Sequence, residues 1–291
     1  MIHMQILMAE YAGFCEGVER AYRIALEQTK THKQIFMLGN LVHNTQVVRK
    51  FEELGARIVK AVSEIPQGTD GIIIISAHGV SPLVYDEINK KGLELVDTTC
   101  PWVKNAQKLS KNLAEKGIQV IVVGDKNHPE VKGIVAWSGG RALVVEEPED
   151  LASIKLAGKV GVIAQTTQSE ANFDKVVEEL KEKTKDIIIH KTICGATSKR
   201  QKAAIDIAKK VDLMLVIGDL KSANTNRLTE LCKKTGAETH QIQTALELDG
   251  KWLAGKAKIG ITAGASTPDW VIDEVIKNLG NQENLLLHNC N

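Results

Sequence analysis

QILMAEYAGFCEGVERAYRIALEQ, residues 5–28, runs from an apolar stretch through a short turn holding Cys15 into a helical pattern. The same layout returns twice. LELVDTTCPWVKNAQKLSKNLAEKG, residues 93–117, places Cys100 in its turn, and DIIIHKTICGATSKRQKAAIDIAKK, residues 186–210, places Cys194 there. The cysteines fall at nearly equal intervals, as a threefold internal repeat requires.

Each unit continues in step. Ile35–Leu38 leads to His43-Asn44, Val120–Val123 to His128-Pro129-Glu130, and Leu213–Val216 to Ser222-Ala223-Asn224. After a short connecting stretch comes a third strand and turn: Ile72–Ile75 with Ser76-Ala77-His78-Gly79, Val160–Ala164 with Gln165-Thr166-Thr167, and Ile259–Ile261 with Gly264-Ala265-Ser266. Aliphatic strands alternating with amphipathic helices predict α/β units with mostly parallel sheets. The turns after such strands are where α/β folds bind ligands. Helix capping alone accounts for Ser and Thr in them. It does not account for a cysteine in the same turn three times.

The bulk numbers narrow the function. The 291 residues suggest two or three domains. With 37 basic and 36 acidic residues, no strong field draws the chain to nucleic acid or to a membrane surface. Met4–Met8 is too short for a signal-peptide core and no purely aliphatic run is longer than Ile72–Ile75, so a soluble, cytoplasmic protein is expected. Five cysteines without a CxxC pair exclude a disulfide scaffold and local zinc-finger or ferredoxin spacings. Neither a GxxxxGK[ST] nor a GxGxxG motif is present, which removes ordinary NTPase and dinucleotide sites.

Three repeat-related thiols could hold an iron–sulfur cluster, leaving one iron without a protein thiolate. They could also make a zinc site completed by a histidine, or be ordinary buried thiols. Cys232 shares a helical face with Leu228 and Leu231 and reads as core, whereas Cys290 has no repeat partner and no assigned role. His43, His78 and His128 in turns, beside Asn224 and Ser266, suggest an anion site, since amides at helix N-termini already favour phosphate. Glu130 is the one acid among these turn groups. In a closed pocket it would serve as general acid; at a helix start it could equally complement the dipole.

Nine blocks in order carry a resemblance: AGFCEGV (12–18), VHN (42–44), SAHG (76–79), TCP (99–101), NHPEV (127–131), QTT (165–167), ICGAT (193–197), NTNRL (224–228) and GASTPD (264–269). Together they resemble the 4-hydroxy-3-methylbut-2-enyl diphosphate reductases, the IspH or LytB family. The resemblance implies a trefoil of three pseudo-threefold-related α/β domains around a central [4Fe–4S] cluster. The domains would span residues 15–99, 100–193 and 194–281, with strand 1–14 joining the third and 282–291 as a tail. Cys15, Cys100 and Cys194 would be the metal ligands, the fourth iron being open to substrate.

The implied reaction is reductive dehydroxylation of the allylic diphosphate to isopentenyl and dimethylallyl diphosphate, the last step of the non-mevalonate pathway. Glu130, Thr166 and His128 would form the catalytic group. His43, His78, His128, Gln165, Thr166, Thr167, Ser222, Asn224 and Ser266 would bind substrate, and a ferredoxin or flavodoxin would supply electrons. Two positions depart from the family pattern: Ala223 stands where many relatives have Ser, and Gly195 where Asn is frequent. A non-catalytic iron–sulfur redox sensor, and more remotely a quinolinate synthase, are the alternatives; a sensor needs neither a proton donor nor a phosphate cradle.

Overall fold

A computed structural model describes residues 4–31, 34–156 and 158–288, with side chains through residue 280. The first elements are β1 (Gln5–Met8), α1 (Glu16–Thr31), β2 (Ile35–Leu38), α2 (Thr45–Glu53), β3 (Ala56–Val59), β4 (Ile72–Ile75), α3 (Pro82–Lys91) and β5 (Glu94–Asp97). Next come α4 (Pro101–Glu115), β6 (Gln119–Val123), α5 (Pro129–Trp137), β7 (Leu143–Val145), β8 (Val160–Ala164), α6 (Glu170–Lys183) and β9 (Ile187–His190). The last are α7 (Gly195–Ala208), β10 (Leu213–Ile217), α8 (Ala223–Lys234), β11 (Glu238–Ile242), α9 (Gly250–Leu253), β12 (Lys258–Ala263) and α10 (Asp269–His288).

The strands form three four-stranded sheets, ordered β3-β2-β4-β5, β7-β6-β8-β9 and β11-β10-β12-β1, and every pairing is parallel. The order is the same three times. The strand that leads into each cysteine (β1, β5 or β9) lies at a sheet edge, beside the strand of the repeat's third turn. For Cys15 this strand pairs with β12, from the far end of the chain, with Gln5 opposite Lys258.

Composition follows position. β4 (IIII), β8 (VGVIA) and β10 (LMLVI) are buried throughout, because each lies inside its sheet with helices on both faces. Edge strands β1, β5 and β9 are only partly covered. β3, β7 and β11 lie in what the sequence reads as mere connection. They are edge strands; polar residues such as Arg57, Thr239 and Gln241 break the apolar run of β3 and β11, and β7 is only three residues long. Each follows a glycine with positive φ that ends the preceding turn: Gly55, Gly140 and Gly236.

By contacts the chain divides into two compact units: Met1–Glu16 with His43–Thr45 and Gly195–Asn291, and Gly17–Val42 with Gln46–Cys194. The first holds the sheet containing β10 and β12. Its core packs Leu213, Leu215, Ile217, Ile259 and Ile261 against Val271, Ile272 and Val275 of α10. On the opposite face Met214 and Val216 pack with Ala204, Leu228 and Cys232. The second unit holds the other two sheets, with one core around Phe36, Ile73, Ile75 and Ile88 and two more on either side of β6 and β8. Fully burying such an aliphatic side chain contributes about 1.5–3 kcal/mol, so these central strands supply most of what fixes the turns at their ends.

Candidate functional site

Each repeat cysteine is half-buried, none is in a disulfide, and each amide makes the same bond. In the first unit the Cys15 amide donates to the Ala265 carbonyl at 3.2 Å. In the second, Cys100 donates to Ala77 and Cys194 to Thr166, both at 3.0 Å. The acceptor in every case lies two residues beyond the end of β12, β4 or β8. The equivalence read from the repeat is therefore an equivalence of backbone position, which chance placement of core thiols does not produce. Cys232 is different: it is fully buried among apolar side chains, which pushes its thiol up to about 12. Cys290 lies outside the described residues.

Within the second unit, His128 ends the β6 turn as the N-cap of α5, followed by Pro129. Its Nδ1 accepts the Glu130 amide at 3.2 Å, which assigns the ring proton of the neutral form to Nε2. The His78 and His128 rings meet edge to face, centroids 5.3 Å apart. Glu130 is 2% exposed. Its Oε1 accepts the Thr166 amide at 2.6 Å and its Oε2 the Thr166 hydroxyl at 2.9 Å. Burial pushes the carboxyl up to about 7, although both Thr166 bonds favour its charged form. Thr166 thus grips the acid with its amide and side chain, while its carbonyl holds the Cys194 amide.

Gln165 Oε1 accepts the Asp125 amide at 3.0 Å and its Nε2 donates to the Thr167 hydroxyl at 3.1 Å, so this amide joins two turns. The His78 turn is closely built. Gly79 has φ +71°, and a Cβ there would stand 2.5 Å from Gln107 Nε2 and 2.9 Å from Thr99 Cγ2. Gly79→Ala is expected to destabilise the protein by about 1–3 kcal/mol through strain and overpacking, seen as a lower midpoint in thermal unfolding of the metal-free protein.

Within the first unit, Ser222 caps α8, its hydroxyl accepting the Thr225 amide at 3.3 Å. Asn224 Oδ1 accepts the Ala265 amide at 3.0 Å, while its Nδ2 is buried without a hydrogen-bond partner. The Ser266 hydroxyl donates to the His43 carbonyl at 2.9 Å and lies 3.3 Å from the Ser222 hydroxyl. Burial lowers the His43 imidazole below its usual value, against the raising influence of the Asp219 carboxylate. No local pattern in the sequence points to what holds the His43 turn. Asp219 Oδ2 accepts both the Thr45 amide at 2.9 Å and the Thr45 hydroxyl at 2.6 Å. Burial alone would raise Asp219, but these bonds and that from the Lys221 amide outweigh it and hold the carboxyl low.

The residues fit an iron–sulfur group on two observations. The donor set is three soft sulfurs in repeat-equivalent turns, separate from the one core thiol. A buried acid that burial pushes up to about 7 stands one residue's bonds away from one of those turns. The acid also leaves a signature in stability. Its folded-state value lies above its ordinary 4.5, so the folded protein binds the extra proton between about pH 4.5 and 7. Stability from this group is complete below that window and falls, by up to about 3 kcal/mol, as pH rises through it. Denaturant unfolding of the metal-free protein near pH 5 and pH 8 should show this loss, and the loss should shrink in Glu130→Gln.

The LytB protein family profile matches residues 6–280. The chain is 47% identical over 276 residues to the 4-hydroxy-3-methylbut-2-enyl diphosphate reductase of Geobacter metallireducens, covering 95% of this chain and 97% of that one. It is 46% identical to the reductase of the same name from Pelobacter propionicus, with 95% and 98% covered. Its fold matches the solved E-1-hydroxy-2-methyl-but-2-enyl-4-diphosphate reductase of Plasmodium falciparum with a TM-score of 0.90 at 31% identity, covering 94% of this chain and 87% of that one. A second solved structure, titled as the terminal enzyme of the non-mevalonate pathway, matches with a TM-score of 0.69 at 39% identity over 96% and 99% of the two chains. With the family profile matched over residues 6–280 and relatives this similar over nearly its whole length, the chain belongs to the LytB protein family.

Proposed function

We propose that this protein removes the hydroxyl of 4-hydroxy-3-methylbut-2-enyl diphosphate reductively, giving isopentenyl and dimethylallyl diphosphate as the last step of the non-mevalonate pathway. The observation that carries the reading is the Thr166 junction, where one residue binds the buried acid Glu130 and the Cys194 turn together. Cys15, Cys100 and Cys194 hold one [4Fe–4S] cluster within three α/β domains, 15–99 (first), 100–193 (second) and 194–281 (third). When bound, the cluster supplies two electrons and a Lewis-acidic iron without a protein thiolate.

The chain's own residues do the rest. Glu130, held protonated near neutral pH, donates the proton that turns the departing hydroxyl into water, with the Thr166 hydroxyl at 2.9 Å as relay. His128 orients the acid by accepting its amide and offers Nε2–H to a phosphate oxygen. His43, His78, Ser222, Asn224 and Ser266 complete the diphosphate cradle; the buried, unpartnered Nδ2 of Asn224 is a donor of the kind an anion takes up. Gln165 and Thr167 line the pocket. Binding through the diphosphate fixes the allyl alcohol and lets interactions remote from the reacting bond assist its cleavage. Electrons come from a ferredoxin or flavodoxin in the cytoplasm; among the described residues no helix is long and apolar enough to cross a membrane.

A redox sensor using the same cluster has no use for a proton donor tuned to neutral pH, so the reductase reading is preferred. Anaerobic oxidation of reduced methyl viologen tests it. Substrate-dependent oxidation yielding both five-carbon diphosphates is expected. No oxidation by protein of demonstrated four-iron content would remove the reading. Asn224→Ala should raise KM about tenfold with kcat changed much less, the result of losing a charge-assisted bond made equally in ground and transition states; steady-state kinetics decide it.

A further inference from the structure

Two of the three cysteine turns are fastened by a threonine. The residue two before Cys100 is Thr98, whose hydroxyl donates to the Ile75 carbonyl at 2.5 Å. The residue two before Cys194 is Thr192. Its hydroxyl donates to the Ala164 carbonyl at 2.5 Å and accepts the Ala164 amide at 2.8 Å. In each case the hydroxyl ties the cysteine turn to the end of the neighbouring strand, β4 or β8.

The Cys15 turn cannot use this device. Its equivalent residue is Gly13, with φ +82°, and a Cβ there would stand 3.0 Å from Ile272 Cδ1 and 3.1 Å from Asp269 Oδ1. A side chain at this position is therefore both strained and crowded. The same unit supplies a different fastening. Arg200, on α7 and only 3% exposed, sends Nη2 to the Gly13 carbonyl at 2.8 Å, and its Nη1 donates to the Ala196 carbonyl at 3.3 Å. Such a long cation is rarely buried to this degree without a specific task.

We propose that Arg200 is the positioning residue of the Cys15 turn, doing through its guanidinium what Thr98 and Thr192 do through their hydroxyls at Cys100 and Cys194. The role of Cys15 as a ligand rests on the proposed function, but the fastening itself is a property of the polypeptide. It makes the first turn dependent on a residue far away in the sequence, where the other two depend on local hydroxyls. The planar fork matters as well as the charge, because the bond to Gly13 is directional and a lysine ammonium does not reproduce the pair of contacts.

The test reads the three thiols separately in metal-free protein, by iodoacetamide labelling with mass-spectrometric quantification at each cysteine. In Arg200→Met, Cys15 should label about tenfold faster, the consequence of losing one hydrogen bond from a charged donor; Cys100 and Cys194 serve as internal references and should not change. Thr98→Val should do the converse, speeding Cys100 alone. Arg200→Lys separates position from charge: labelling of Cys15 as fast as in Arg200→Met supports positioning, and labelling at the wild-type rate overturns it. Unchanged Cys15 labelling in Arg200→Met, or a common rise at all three cysteines, also overturns it. If Arg200→Met does not fold, Arg200→Lys decides alone. Failure of the cluster reading would show instead as wild-type protein that binds no iron, whatever the labelling pattern.

Discussion

Glu130→Gln should retain its cluster and bind substrate, yet turn over about 10²–10⁴-fold more slowly, the usual contribution of a positioned general acid. Gln is nearly isosteric: its Oε1 can still accept the Thr166 amide, which lies 2.6 Å from the carboxyl, and its Nε2 can donate to the Thr166 hydroxyl, reversing the 2.9 Å bond, so the turn should stay in place. What is lost is the proton. Because that proton is needed only as the hydroxyl departs, kcat and kcat/KM should fall together while KM stays near the wild-type value. The pH profile adds a second check. Burial pushes the acid of the free protein up to about 7, so wild-type kcat/KM should fall roughly tenfold per unit as pH rises above that value, as the acid loses its proton. The variant should lack this limb. Turnover within a few-fold of wild type would take Glu130 out of the proton path.

The cysteines divide more sharply. Cys15→Ser, Cys100→Ser and Cys194→Ser should each lose the cluster or retain it in substoichiometric amount, and lose reductase activity with it. Cys232→Ala should keep full iron content and activity, because Cys232 is enclosed by Ala204, Ala208, Val216 and Leu228 and has no part in a turn. Its cost is confined to stability, about 1–2 kcal/mol for the small void left behind. Iron assay and the visible spectrum of anaerobically purified proteins distinguish the two groups. Equal iron loss in all four variants would contradict the division, as would full iron in any of the first three.

The contrast among cysteines was legible in the sequence because repeat position carries information that a lone cysteine does not. The same holds for the nine aliphatic strands, whose runs are set by burial on both faces. β3, β7 and β11 were not legible: at a sheet edge half of a strand's residues meet solvent, and Glu238, Thr239 and Gln241 then read as loop. Glu130 was legible as the one acid in the turns, but its 2% exposure and its bonds to Thr166 were not. Ser222 caps α8 and also lies 3.3 Å from the Ser266 hydroxyl, so capping does not occupy it fully. Least legible were the fastenings between remote segments. Asp219 grips Thr45 and Arg200 grips Gly13 across long stretches of chain. No local pattern announces a partner that only tertiary packing brings near.

In the proposed function, three repeat-related thiolates hold one cluster whose remaining iron meets substrate. The most direct measurement is the Mössbauer spectrum of anaerobically prepared, iron-57-enriched protein, with and without 4-hydroxy-3-methylbut-2-enyl diphosphate. A [4Fe–4S] spectrum is expected in which one iron differs from the other three and alone changes its parameters when substrate is added. Four irons that stay alike and do not respond to substrate would contradict it, as would a metal centre without iron.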